Sequence, residues 1–168
     1  LPFEMPFYGD LYSSVMVSSN GWLSFDLQNS YEGNIWSESL PNANDAPPAV
    51  IAVYALDGFP NNNGSVYFHG DNNHMVITYE NWGYCCNYDS FYSMQVLLHS
   101  DGRIKLQYDN INQNSMQYYG QDYTNATIGI QNAERNDGIT YLMPYNYNDP
   151  ADIFDGLAIV FQDTPMQE

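Results

Sequence analysis

The chain has 168 residues, with 20 acidic side chains against three cationic ones (Arg103, Lys105 and Arg135), for a formal net charge of −17. That balance excludes nucleic acid as a partner, because no cationic surface exists to displace phosphate counterions, and it disfavours docking on anionic lipid. A hydrophobic fraction of 44% and an aromatic fraction of 16% suffice for a packed core in one domain spanning residues 1–168, and no apolar run approaches the ~18 residues that read as a membrane span, so no membrane insertion is expected.

The predicted elements follow a period of two. After the abrupt opening "LPFEMPFYGD", which reads as a processed or excised segment without a visible signal peptide, Val15 and Val17 alternate with polar neighbours in "SSVMVSS", and Leu23 with Phe25 in "WLSFD". Further along come Val66 and Phe68 in "SVYFH", then Met94, Val96 and Leu98 in "SMQVLLH". Ile104, Leu106 and Tyr108 follow in "RIKLQY", and Ile128 and Ile130 in "ATIGIQ". The final run, "GLAIVFQ", sets Leu157, Ile159 and Phe161 on one face and Ala158 and Val160 on the other. These are strand patterns, and no window carries a sustained helical stripe. Turn chemistry separates them: "SNG", "NNNG", "GDNN", "SDG" and "NDG" all offer residues that tolerate positive φ. "LHSDGRIKLQY" is the clearest hairpin. About ten short strands so spaced predict an all-β fold, an antiparallel, jelly-roll-like β-sandwich. Longer polar connections at residues 27–48, 109–124 and 143–155 are where function is expected on such a scaffold.

Several stretches together resemble a known module. "LPFEMPFYGDLYSSVMVSSNGWLSF" is similar to the opening of nidogen-like extracellular β-sandwich modules, found also in plexin-domain-containing receptors and in accessory domains of large secreted bacterial proteins. "APPAVIAVYALD", "SVYFHGDNNHMVITYENW", "FYSMQVLLHSDGRIKLQY", "NATIGIQNAERNDGITY" and "DGLAIVF" resemble its later segments in the expected order, the last two being nearest the bacterial versions. The resemblance implies a non-catalytic extracellular or cell-surface domain for adhesion, recognition or architecture, with no catalytic residues to carry over. Two features depart from the pattern. Bacterial relatives have a strand before the "LPF" segment, and the pair Cys85 and Cys86 is a local addition.

Those two cysteines are the only ones in the chain, adjacent in "NWGYCCNYDS". A thioredoxin-like pair needs two intervening residues, and a structural zinc site needs four ligands, with only His69, His74 and His99 on offer. Three states stay open: a vicinal disulfide, free thiols, or bonds to another chain. A vicinal bond would span Cα atoms about 3.8 Å apart, below the usual disulfide range, and would present a flat sulfur face. With Trp82, Tyr84 and Tyr88 around it, that face could stack on a sugar or on a partner's aromatic ring.

"NYNDPADIFDG" gathers Asp149, Asp152 and Asp155, oxygen ligands of the kind Ca²⁺ takes, and Asp57 is a secondary candidate at a strand end; an exposed acidic loop is the competing account. Asn63 and Asn125 stand in N-glycosylation triplets. Loop tyrosines (Tyr118, Tyr119, Tyr123, Tyr145, Tyr147) suit an interface or a cap on the sandwich. No nucleophile motif appears, and Glu80 is a lone strand-end acid, so no enzyme is expected. The expected partners are a glycan or a surface protein. The alternative is copies of the chain itself, assembling into a filament or coat when a neighbour's strand completes an open sheet edge. A third reading is an accessory domain of a secreted hydrolase.

Overall fold

The computed structural model describes residues 1–28, 35, 39–60, 63–84, 87–111, 117–118, 121–122, 126–143 and 153–162. Fifteen strands and no helix run through these residues, more strands than the period-two runs predict. The additional ones are mostly two- or three-residue pieces, too short to show alternation.

One sheet has six strands. Its axis is β8 (His74–Tyr84), paired on one side with β9 (Asn87–His99), then β10 (Ile104–Asp109) and β15 (Ala158–Phe161). Along its other side β8 pairs with both β6 (Gly58–Phe59) and β7 (Ser65–Gly70). The second sheet runs in the order β14 (Gly138–Leu142), β13 (Thr127–Gln131), β5 (Val50–Ala55), β4 (Trp22–Ser24) and β3 (Met16–Val17). Two small ribbons, β1 (Met5–Phe7) with β2 (Asp10–Tyr12) and β11 (Gln117–Tyr118) with β12 (Gln121–Asp122), complete the set, and every pairing is antiparallel.

The alternation read from the sequence places the core. Met94, Val96 and Leu98 on β9, Ile104, Leu106 and Tyr108 on β10, and Ile159 and Phe161 on β15 all turn inward. They meet Leu23, Ile51, Val53, Ile128 and Ile130 from the other sheet in one continuous cluster. Each such side chain contributes about 1.5–3 kcal/mol when fully withdrawn from water. The predicted hairpin forms with Leu98 opposite Ile104, and its turn closes with the His99 amide donating to the Arg103 carbonyl at 2.9 Å. Polar bolts join the layers: the Tyr108 hydroxyl donates to the Val53 carbonyl at 2.6 Å, and the Tyr79 hydroxyl to that of Ser18 at 2.7 Å.

The two sheets differ on their outer faces. Every residue of β5 is buried, because its far side carries a second apolar cluster of Trp22, Val50, Ala52 and Ala55 roofed by Ile35, Leu40 and Ala46. Part of the 27–48 connection, expected to carry function, therefore acts as a structural cover. It is stitched down by buried polar groups. Gln131 donates to the Pro47 carbonyl at 2.7 Å and accepts from the Asn42 amide at 2.7 Å, while Thr140 accepts from the Leu40 amide at 2.7 Å. Among the described residues, no second apolar cluster covers the outer face of the six-stranded sheet. Its cross-strand row Thr78, Gln95 and Gln107 is half-buried, with the Gln95 amide donating to the Thr78 hydroxyl at 2.9 Å.

Val66 and Phe68 depart from expectation. They alternate as predicted and turn to the core side, opposite the fully buried Tyr79 and Ile77, yet they are 37% and 76% exposed. The second sheet ends in the two-residue β3 and does not reach over them.

Candidate functional site

Among the described residues, those singled out from the sequence are split between the core and the surface. Trp82 is 5% exposed, its indole N–H donating to the Ser19 carbonyl at 2.8 Å and its ring set edge-on to Tyr79. That ring is core, which corrects the expectation of Trp82 as part of a stacking platform: its apolar surface is already spent inside the fold. Tyr84 and Asn87 face each other across the strand ends of β8 and β9, and Tyr88 is the second residue of β9. Cys85 and Cys86 between them lie outside the described residues, as do Asp149, Asp152 and Asn125. Asp57 is half-buried in the turn between β5 and β6. Asp155 is exposed, and its carboxylate accepts from the Ile111 amide at 2.7 Å, a turn-fixing role. Among the described residues no three His, Cys, Asp or Glu side chains stand close enough to hold a metal ion. Asn63 is exposed just before β7.

Beside Asp57 lies a tight polar knot. A Cβ placed on Gly58 would stand 2.6 Å from the Ser19 carbonyl, 2.8 Å from the Tyr92 hydroxyl and 2.9 Å from the Trp82 indole nitrogen. The Tyr92 hydroxyl is fully buried and has no hydrogen-bond partner among the described residues. Burial, then the neighbouring Tyr54, Tyr79 and Asp57, raise its pKa well above the ordinary tyrosine value.

A two-lobed concavity lies elsewhere, at the opposite edge of the sandwich from β7. There β14 and β15 end their respective sheets, and the β1–β2 hairpin packs beneath the β9–β10 turn. Two contiguous lobes of about 260 and 370 Å³ share Pro6, Phe7, Tyr8, Gly102 and Gln162, near the lower end of the ~300–1,000 Å³ that small-ligand sites occupy. The inner lobe has an apolar floor of Ile104, Ile130 and Phe161, with Ile139 and Asp137 on its rim. Ile139 shares the inward face of Ile130 but is 55% exposed, because β14 is the last strand of its sheet. The outer lobe is lined by Asp10, Leu11, Asp101 and Arg103.

Local sequence explains how Tyr8 comes to sit between the lobes. Phe7 pairs with Asp10, so the hairpin turns in the two residues Tyr8 and Gly9, both at positive φ (49° and 89°). That is the turn whose twist matches antiparallel strands, and glycine fills its second place without strain. The turn lifts the Tyr8 ring to 36% exposure, braced edge-on against Phe7 at 4.9 Å. In the outer lobe Arg103 grips Asp101 through Nε at 2.9 Å and Nη2 at 2.8 Å. This bonding holds the Asp101 carboxyl below the usual carboxylate range.

The cleft thus combines an exposed phenol, an apolar floor, carboxylates, a guanidinium and an amide. Among the described residues, no histidine, cysteine, serine, threonine or lysine lines either lobe. Its residues come from "FYGD", "SDG" and "NDG", two of which are legible as turns. No signal in the sequence says that these turns converge.

Searches of curated proteins and of solved structures found no match to the chain. A family profile described as NIDO related matches residues 1–154. That match agrees with the resemblance drawn from the quoted segments: the chain belongs to the NIDO-related family, the nidogen-related β modules.

Proposed function

We propose that this chain is a non-catalytic recognition module working outside the cell, and that the cleft around Tyr8 takes a polyhydroxylated ligand such as a surface glycan. The observation that carries this reading is the exposed Tyr8 ring set between two lobes whose rims bear Asp10, Asp101, Arg103, Asp137 and Gln162. An aromatic face packs against the C–H surface of a sugar, and carboxylate, guanidinium and amide groups pair with its hydroxyls. Membership of a nidogen-related family supports an extracellular setting.

Glycan-array binding with wild type and Tyr8→Asn tests it. Asparagine tolerates positive φ, so the turn persists while the ring is lost. Loss of that contact is expected to weaken binding about tenfold, equivalent to ~1.4 kcal/mol. A blank array, or binding untouched by Tyr8→Asn, overturns the reading.

Assembly of copies by strand addition has the open edge of β7 in its favour. Against it stands a charge of −17 on every copy.

A further inference from the structure

Among the described residues β7 is the outermost strand over residues 65–70 of its sheet, paired only with β8, in unbroken register from Ser65 opposite Glu80 to Gly70 opposite Met75. Natural edge strands are guarded by charge, proline, a bulge or a cover. "SVYFHG" has no Lys, Arg, Asp, Glu or Pro, no bulge interrupts its pairing, and its residues from Val66 to Gly70 are exposed. Beneath it Val66 and Phe68 lie open at 37% and 76% exposure, and across the mouth of the sandwich Val17 on β3 is 40% exposed. The Tyr79 hydroxyl bond to Ser18 brings the two rims together, since Tyr79 faces Val66 in the ladder and Ser18 follows Val17. The ledge is therefore an unfinished edge of both the hydrogen-bond ladder and the core.

Charge selects the occupant. The three cationic residues of the chain lie on neither β7 nor β8, and carboxylates bracket the edge at both ends: Glu80, exposed opposite Ser65, and Asp71, exposed directly after Gly70. Amide donors at Asn73 and His74 satisfy Asp71 at 2.8 Å each. A second copy would bring its own net negative charge and a β7 without a cation for either carboxylate. We propose that β7 is a strand-addition site for a basic, extended segment of another protein. Its apolar side chains, at alternate positions, cover Val66 and Phe68. Its Lys or Arg side chains, on the other face, reach past the small Ser65 toward Glu80. The ladder bonds supply sequence-independent affinity, and the alternate pockets and carboxylates supply selection. This surface is separate from the cleft and does not depend on it.

The test uses the full chain and two synthetic hexapeptides of alternating valine with lysine and valine with glutamate, read by fluorescence anisotropy. The valine–lysine peptide is expected to bind. Its affinity should fall about tenfold or more in Phe68→Ser and when salt rises from about 0.05 to 0.5 M, because the Debye length then shrinks severalfold. Glu80→Gln should weaken it to a smaller extent, the valine–glutamate peptide should not bind, and slowed amide exchange on binding should centre on residues 65–70. Phe68→Ser removes a side chain already 76% exposed, so the fold should persist. Glycan binding by that variant should equal wild type, which separates failure here from failure of the cleft reading. Binding that Phe68→Ser leaves unchanged would be charge attraction alone and would overturn the proposal, as would no binding at all. A concentration-dependent dimer abolished by Phe68→Ser would overturn it too, giving the edge to a second copy.

Discussion

The hydroxyl of Tyr108 donates to the backbone carbonyl of Val53 at 2.6 Å, inside the core and across the gap between the two sheets. Burial, followed by the nearby Tyr54 and Tyr141, drives the Tyr108 pKa well above its ordinary value, so the group stays a donor throughout the pH range in which the protein folds. Tyr108→Phe removes the donor and leaves the carbonyl short of a partner, at an expected cost of about 1–3 kcal/mol. The same substitution at Tyr92 should behave oppositely. Its hydroxyl is buried without a partner among the described residues, so Tyr92→Phe is expected to leave stability unchanged or raise it by up to about 1 kcal/mol. Urea unfolding of both variants checks the contrast, and equal destabilisation of the two would contradict the hydrogen-bond assignment.

Gly58 leaves space for three polar atoms at once. Gly58→Ala would press its methyl group on the Ser19 carbonyl and displace the Trp82 indole that donates to it. Overpacking of this kind costs about 1–3 kcal/mol. Thermal denaturation should show a lower midpoint, and a shift in tryptophan fluorescence should report the disturbed indole.

Gln131 satisfies two backbone groups of the segment that covers β5. Gln131→Leu removes the partner of the buried Pro47 carbonyl and the side-chain acceptor of the half-buried Asn42 amide, with an expected loss of about 1–3 kcal/mol. Limited proteolysis should then cut within residues 39–48 faster than in wild type. Unchanged resistance there would show that the apolar roof alone holds the segment.

His99 gives stability a pH dependence near neutrality. Burial first, then Arg103 and His74, push its pKa below 6.5, with Asp101 pulling weakly the other way. The unfolded chain therefore takes up this proton at a higher pH than the folded one. The favourable contribution is whole above about pH 6.5 and is lost as pH falls from there toward the depressed folded value. Melting temperatures measured from pH 7.5 to pH 5 should decline less steeply in His99→Gln than in wild type. Parallel slopes would remove His99 from the account.

The inward faces of β9, β10 and β15 were legible because the other side of their sheet stays in contact with water, which forces strict alternation of apolar and polar residues. β5 reads as an apolar run for the opposite reason: both its faces are covered. What covers it was not legible. The 39–48 segment holds three prolines and two asparagines and carries only Leu40 and two alanines, so its packing rests on backbone hydrogen bonds that leave no hydropathy signal. Trp82 misled because an aromatic among turn-forming residues looks exposed, whereas the strand continues through it. The cleft was invisible because Tyr8, Gly102 and Asp137 are far apart in sequence and meet only when three turns arrive at one edge. At β7 the alternation was right and the burial wrong, since periodicity shows which way a side chain turns and not whether anything lies opposite.

Because Gln131 and Thr140 hold one outer surface shut beneath a sewn-down flap, the molecule has a back and a front. A surface tether or a dye attached behind the flap would leave the remaining half of the molecule free for visitors. Orientation, as much as affinity, then decides how densely such units can be displayed side by side.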